Sequence, residues 1–550
     1  MKKKIISLVL AVSLCAGLLA GCGKEKPKDT DQVSTEDTQT KETKSSESSQ
    51  EAEQPAEETN QYGDTGGLTL PLVDKPTTIT WMVPSSVQDL SNKAVIKEIE
   101  ARTGVTLDIQ TYPSTSFADK LKVTLASGSI PDIITGGNVT EINNLGGQGA
   151  FVAINEHLDS LPNFKSLYVD NGENNWVMKS YSNDEGNIYT WPVYGLSRDV
   201  NHGFLYRKDI FDQHGIKEWT TTEEFYQALK QLKEIYPDSI PYASKTQDAI
   251  FKDWGYGWGI GTENANYPVY YDEGTKTWKL STIQPEFKEM IDFMKKLYNE
   301  GLLDPEFITD TDASWTAKMA AENTSFVTFD WIGRLDMFYE QVKGTIPTYD
   351  LRYANPVGPT GNVRSLSKVI NFGIAVANNK NAEVALKVLD YLSSPSGSEL
   401  ITLGIEGEHY TLDAEGKVTY PNITDVDKVD IKTLEERYGA WVEGMYLNID
   451  PRSTYFNYTE KEQESQDKIN NGMKYEALDP VLKFTNEETS KIAELKTTIQ
   501  KAGVEFAVQY VLDKNYGESQ WNEWLGNAEK LGASELENAY NTAQARFNAE

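Results

Sequence analysis

Two groups of residues in this chain have types and spacing that point to chemistry, and in neither is that chemistry catalysis. The first is Leu19-Ala20-Gly21-Cys22, which closes an apolar run from Ile5 to Ala20 behind Lys2, Lys3 and Lys4. A thiol placed there resembles a lipobox, which implies cleavage before Cys22 and a diacylglyceryl group on its sulfur. The apolar run is shorter than the ~20 residues that cross a bilayer, so it reads as a secretory signal rather than a membrane helix. The second is Trp254-Gly255-Tyr256-Gly257-Trp258-Gly259. Its glycines allow a close backbone approach while alternate aromatics are presented. Trp254 and Tyr256 are the residues expected to face a ligand, and a glycine-rich strand with one aromatic face in the core is the competing reading.

Catalytic constellations are missing. There is no G-x-S-x-G elbow, no G-x-x-x-x-G-K-[ST] loop and no H-E-x-x-H helix, and His157, His202, His214 and His409 show no ligand spacing. Asp310-Thr311-Asp312 offers oxygens to calcium but lacks the glycine and distal glutamate of an EF-hand loop, so a solvated turn is expected. With Cys15 lost in the signal and Cys22 acylated, the folded body has no thiol for catalysis, metal binding or a disulfide. No cofactor and no metal are implied. The 83 acidic residues always allow a carboxylate pair by count, which keeps a surface glycosidase open as an alternative.

Charge narrows the partners. The formal net charge is −31, and losing the three signal lysines takes it to −34. A phosphate backbone or an anionic membrane surface is repelled by such a field, so nucleic acid is excluded and membrane attachment has to be covalent. The same field argues mildly against a strongly anionic ligand.

The elements that must position these residues are legible from periodicity. From Gly23 to about Gly67 the chain is Lys, Glu, Asp, Ser, Thr and Gln with almost nothing apolar, which predicts a disordered tether. A β run over 77–83, a helix through Leu90, Val95 and Ile99 ending at Gly104, and a strand over 105–109 follow. A helix through Phe117, Leu121 and Leu125 and a strand over 132–134 come next. This βαβαβ order predicts a parallel sheet with ligands at the carboxyl ends of its strands, here the loops 84–86 and 135–138. Thr221 to Glu224 resembles a capping box, Pro285 opens a helix that stops at Gly301, and Asn381 caps another.

Several phrases then match a known family in order. Phe204-Leu205-Tyr206-Arg207-Lys208-Asp209-Ile210-Phe211, Gly215-Ile216 and Trp219-Thr220 resemble a signature of family 1 extracellular solute-binding proteins. Gly128 to Ile134, Tyr298 to Pro305, Gly404 to Tyr410 and Gly532 to Phe547 resemble the lipoproteins that serve carbohydrate ABC importers. The resemblance covers about Thr77 to the C-terminus. It implies an α/β, two-lobed periplasmic-binding-protein-like fold (type II), with hinged lobes and a ligand cleft between them. Three crossings between lobes are expected near Tyr194, near 356–361 and near 394–404. Residues 68–193 plus 362–395 would form lobe one and 194–361 plus 396–550 lobe two, after a signal over 1–21 and a lipidated tether over 22–67.

Within that frame the implied partners are an oligosaccharide, the permease subunits of an ABC importer and the membrane, reached through the lipid on Cys22. A monomer on the outer face of a Gram-positive cell membrane is expected. A sugar presents apolar C–H faces and hydroxyls, so its site needs aromatic platforms beside planar polar groups; the chain has 12 Trp and 29 Tyr. The family places an aromatic at a strand-to-helix turn, here Trp331, with Asp330 and Arg334 as polar partners unless Arg334 pairs with Asp336. Trp191 and Tyr194 stand at the first crossing. Trp81 and Trp441 are weaker candidates, because Trp81 equally suits a strand interior. A peptide or another non-sugar solute remains a variant of the same class.

Overall fold

The computed structural model describes residues 61–549 apart from 197, 199–200, 246–248, 263–265, 364–365, 427–428 and 476–477. The signal, Cys22 and the tether up to residue 60 lie outside the described residues.

The predicted βαβαβ unit is present. Strand Thr77–Pro84 pairs in parallel with Val105–Tyr112, from Thr77 opposite Val105 to Pro84 opposite Tyr112, and with the short strand Ile133–Ile134. Two strands from later in the chain complete the sheet. Val369–Val376 runs antiparallel to Ile133–Ile134, and Trp191–Tyr194 forms the edge beside it. Helices cover both faces, which is why the first strand is apolar on both. Ile79, Trp81 and Val83 enter one core cluster while Met82 enters the other with Phe117 and Leu121. Gly104 stops the first helix in the left-handed region at φ 73°, its N–H donating to the Glu100 carbonyl at 2.8 Å.

The second lobe is built on a smaller antiparallel sheet. His202–Arg207 lies between Val327–Trp331 and Leu351–Tyr353. Helices Thr222–Ile235, Pro285–Asn299 and Asn486–Leu512 share one buried cluster with its Phe204 and Tyr206. The Thr221 hydroxyl accepts from Glu224 N at 3.1 Å and the Glu224 carboxylate accepts from Thr220, so the predicted cap is real.

The structure departs from expectation in four places. Residues 61–67 belong to the fold rather than to the tether: Ser396 donates through its hydroxyl to Tyr62 O (2.6 Å) and through its N–H to Asp64 O (2.8 Å), and Asn163 Nδ2 donates to Thr65 O (3.0 Å). Residues 396–456 pack with lobe one, not lobe two. Leu400, Ile401, Leu434, Trp441 and Met445 are buried among Val95, Ile99 and Leu389. By that packing 396–456 continues the lobe-one core, and no composition break marks the chain at Phe456. Trp254 and Tyr256, expected to face a ligand, are buried, and the segment is not the strand of the competing reading either; helix Ala249–Gly255 runs into a 3-10 turn at Tyr256–Trp258. Its glycines serve packing, because a Cβ on Gly257 would stand 1.7 Å from Val357 O and one on Gly358 2.2 Å from Gly257 O. Asn381 makes no side-chain cap; its amide donates to Asp132 and to Thr78 O instead.

Candidate functional site

At the carboxyl edge of the lobe-one sheet, the loop after Ile134 is tied by backbone to strands Thr77–Pro84 and Val369–Val376. Thr135 N donates to Met82 O (3.1 Å), Gly136 N to Phe372 O (2.7 Å) and Gly137 N to Gly373 O (3.1 Å). Gly373 has φ +63° and any Cβ there would stand 1.7 Å from Gly137 O, so this approach requires glycine. Residues 441–446 lie against the same edge, with Gly444 pressed onto the Thr135 side chain. Trp441 is 3% exposed and holds φ +60°, a strained conformation for a bulky residue. Its ring lies 5.1 Å from Tyr446 and 5.7 Å from Tyr455, and Tyr446 meets Phe372 edge-on at 6.0 Å. Glu443 is exposed, yet desolvation by the surrounding protein pushes its carboxyl above the usual range. Burial also raises Glu435, which accepts from the Ser85 hydroxyl at 2.9 Å.

On lobe two, strand Val327–Trp331 ends in the only exposed tryptophan among the described residues. Trp331 is 49% exposed, and the His202 ring lies 4.4 Å away on the neighbouring strand. Beneath it Asp330 is 3% exposed and ion-paired. Lys245 Nζ is 3.1 Å from its Oδ2, Arg334 Nε is 3.5 Å from its Oδ1, and Trp331 N donates to Oδ1 at 2.6 Å. Lys245 and Arg334 both stand over the Trp315 ring, at 5.3 and 5.6 Å. Arg334 thus pairs with Asp330 and not with Asp336, which accepts from Thr459. The turn Trp331-Ile332-Gly333-Arg334 is held rigidly from below while its indole remains open.

The other expected site residues have structural duties. Trp254 is fully buried, donates from Nε1 to Tyr242 OH at 2.8 Å and lies parallel to Trp258 at 6.0 Å, so it is core. Tyr256 is buried, its hydroxyl donating to Thr262 O at 2.7 Å. With Asp253 and Phe329 it borders an enclosed space of about 20 Å³, room for one water. Trp191 is buried against Phe164 and donates to Ser393 Oγ at 3.0 Å. Trp81 is buried and donates to Thr135 Oγ1 at 3.2 Å, which steadies the 135–138 loop without reaching it from outside. Tyr194 is half-buried at the end of strand Trp191–Tyr194, bonded by its N–H to Leu447 O.

Sequence reasoning passed over Arg198, His202, Lys245, Glu443, Tyr446 and Tyr455. Only the aromatics carried any signal, and nothing local distinguishes them from core. Asp310 is no solvated turn: it is 4% exposed and accepts from Lys318 Nζ, which also reaches Asp304 at 2.7 Å. Among the described residues, no three His, Cys, Asp or Glu side chains are grouped to hold a metal. Away from the crossings the lobes touch through a reciprocal amide pair, Asn144 with Asn486, at 3.0 Å in each direction.

Residues 94–405, more than half of the chain, match the family described as bacterial extracellular solute-binding protein. This chain is a member of that family. It is 24% identical over 507 residues to the fructooligosaccharide ABC transporter substrate-binding protein FusA of Streptococcus pneumoniae, covering 85% of this chain and 90% of that protein. It is 23% identical over 561 residues to the polygalacturonan/rhamnogalacturonan-binding protein YtcQ of Bacillus subtilis, covering 99% of each. Among solved structures it superposes on a solute-binding protein of Bifidobacterium longum infantis described as HMO-binding and ABC-transporter-associated. That pair has a TM-score of 0.70 at 17% identity, covering 86% of this chain and 99% of that one. The alginate-binding protein AlgQ2 gives 0.64 at 22% identity with the same coverage. These likenesses establish the two-lobed solute-binding fold.

Proposed function

We propose that this solute-binding protein is the lipid-anchored capture component of a carbohydrate ABC importer. It closes its lobes on an extracellular oligosaccharide and presents it to the permease without altering it. The observation that carries the reading is Trp331, a half-exposed indole on a turn braced by Asp330, Lys245 and Arg334. An open aromatic face suits the C–H face of a sugar ring, and polar groups fixed beside it suit hydroxyls. At the carboxyl edge of the lobe-one sheet, where ligands of open α/β sheets bind, the exposed Glu443 supplies a polar group on a segment anchored by the buried Trp441 and Tyr446. The similarity to FusA and YtcQ, both binders of glycans, points the same way.

In this reading lobe one comprises about 61–196 plus 366–456 and lobe two about 201–363 plus 457–549, following the buried clusters. Cys22 carries the lipid, and residues 23–60 hold the domain away from the outer face of a Gram-positive membrane as a monomer. The test is titration calorimetry of the mature chain, with Cys22→Ser to prevent acylation, against oligosaccharides, monosaccharides and peptides, followed by chromatography of the ligand. The expected result is one-to-one binding of one oligosaccharide series, recovered intact. Binding restricted to monosaccharides or peptides, or release of new reducing ends, refutes it.

A further inference from the structure

Arg198 differs from the other described arginines. Arg102, Arg207, Arg334, Arg352, Arg437, Arg452 and Arg546 each have a carboxylate within 4 Å. Arg198 has none among the described residues, although acidic side chains outnumber basic ones by 83 to 52. It lies in the segment that leaves lobe one after Tyr194, and it is held by the segment that makes the last crossing. Its guanidinium stands 4.3 Å over the Tyr455 ring and 5.5 Å from that of Tyr458, and Nη2 donates to Tyr455 O. The cation is therefore fixed in place before any ligand arrives.

Its Nε is buried and has no protein acceptor among the described residues, and the same is true of Nε1 of Trp441, whose ring packs on the same Tyr455. Both groups are donors only, so nothing but an acceptor can satisfy them. Leaving a donor buried and unpaired costs roughly 1–3 kcal/mol, and more when the group is charged. The Thr454 hydroxyl on the adjoining residue is likewise buried and unpartnered. Donors without acceptors and a cation without a counter-ion among the described residues, at a position where two crossings meet, describe a place prepared for an oxyanion.

Resting on the carbohydrate reading above, we infer that Arg198 and Trp441 form an oxyanion subsite at the hinge side of the cleft, and that the captured oligosaccharide bears sugar carboxylates, as uronic acids do. The overall negative charge does not oppose this. It is screened over about 8 Å at physiological salt, whereas a fixed guanidinium acts at contact distance.

The test compares oligouronides of galacturonate, glucuronate and mannuronate with their carboxyl-reduced neutral counterparts of equal length, by calorimetry on the mature protein. The expected preference for the acid is about 10- to 100-fold in Kd, as for a hydrogen bond to a charged group. Arg198→Gln brings the ratio to within about 3-fold of unity, Trp441→Phe lowers it while keeping the ring, and Arg198→Lys retains part of it. Salt from 0.05 to 0.5 M, about a threefold change in Debye length, weakens the acid and leaves the neutral sugar unmoved in the unmutated protein, a readout independent of whether the variants fold. Equal or tighter binding of a neutral glycan, an unchanged ratio in Arg198→Gln, or a flat salt dependence for the acid overturns the inference alone. Failure of every sugar to bind overturns the carbohydrate reading itself.

Discussion

Replacing Trp331 with Ala separates recognition from folding. An indole buries about 200 Å² when fully covered, and Trp331 is 49% exposed, so roughly 100 Å² of it awaits a partner. A sugar ring covers one face, about half of that, and loses a similar apolar area of its own. Removing roughly 100 Å² from water at about 25 cal/mol/Å² is worth about 2.5 kcal/mol, or roughly 50- to 100-fold in Kd. The folded state loses little, because the ring's one recorded aromatic neighbour is His202 and surface changes away from special features stay within about 0.5 kcal/mol. Calorimetry measures the affinity and urea unfolding the stability. Trp254→Ala is the control: it removes an indole that packs on Phe204, Phe225 and Trp258, costs about 3–5 kcal/mol of stability, and leaves binding intact in whatever fraction stays folded. If Trp331→Ala keeps its Kd within about twofold of wild type, or if Trp254→Ala abolishes binding while remaining fully folded, the division of labour between these two indoles is wrong.

Three further outcomes test the architecture. Gly358→Ala adds a Cβ 2.2 Å from Gly257 O at φ +117° and is expected to lower stability by at least about 2 kcal/mol through combined clash and strain, read by thermal unfolding. Burial pushes the Asp390 carboxyl up to about 6, against the hydrogen bonds that Phe164 N and Asn163 donate to it. Because its folded pKa exceeds the unfolded 3.8, the folded state holds the extra proton between these values. Stability from this group therefore falls as pH rises from about 4 to about 6, by about 3 kcal/mol. Asp390→Asn removes that slope in urea midpoints measured across the window, and an unchanged slope refutes the assignment. Truncation to begin at Leu68 deletes the backbone acceptors of Ser396 and Asn163 and is expected to cost about 1–2 kcal/mol, whereas truncation to begin at Gln61 costs nothing; equal melting temperatures for the two would return 61–67 to the tether.

Much of lobe one was legible because its signals are local. β-branched runs, glycines just past helices and apolar stripes at helical spacing specify a βαβαβ unit whatever the rest of the chain does, and the parallel register of 77–84 with 105–112 followed. The expectation of a lipid on Cys22 and the lack of catalytic motifs likewise rest on composition and order alone. The turn at Trp331 was singled out by the family resemblance, which implies an aromatic at a strand-to-helix turn, and not by any local periodicity.

Tertiary structure decided which aromatics are open. Trp254, Trp191 and Trp81 are chemically the same as Trp331, and each is buried by elements from elsewhere in the chain: Phe293, Ser393 and Thr135 touch or bond them across 39, 202 and 54 residues. No local pattern encodes such contacts. The assignment of 396–456 to lobe one and the meeting of Arg198 with Tyr455 across 257 residues are of the same kind. Local sequence specifies secondary structure because backbone geometry and side-chain periodicity are short-range; exposure and charge pairing depend on which distant surfaces fill the same space, and that is determined only when the chain closes on itself.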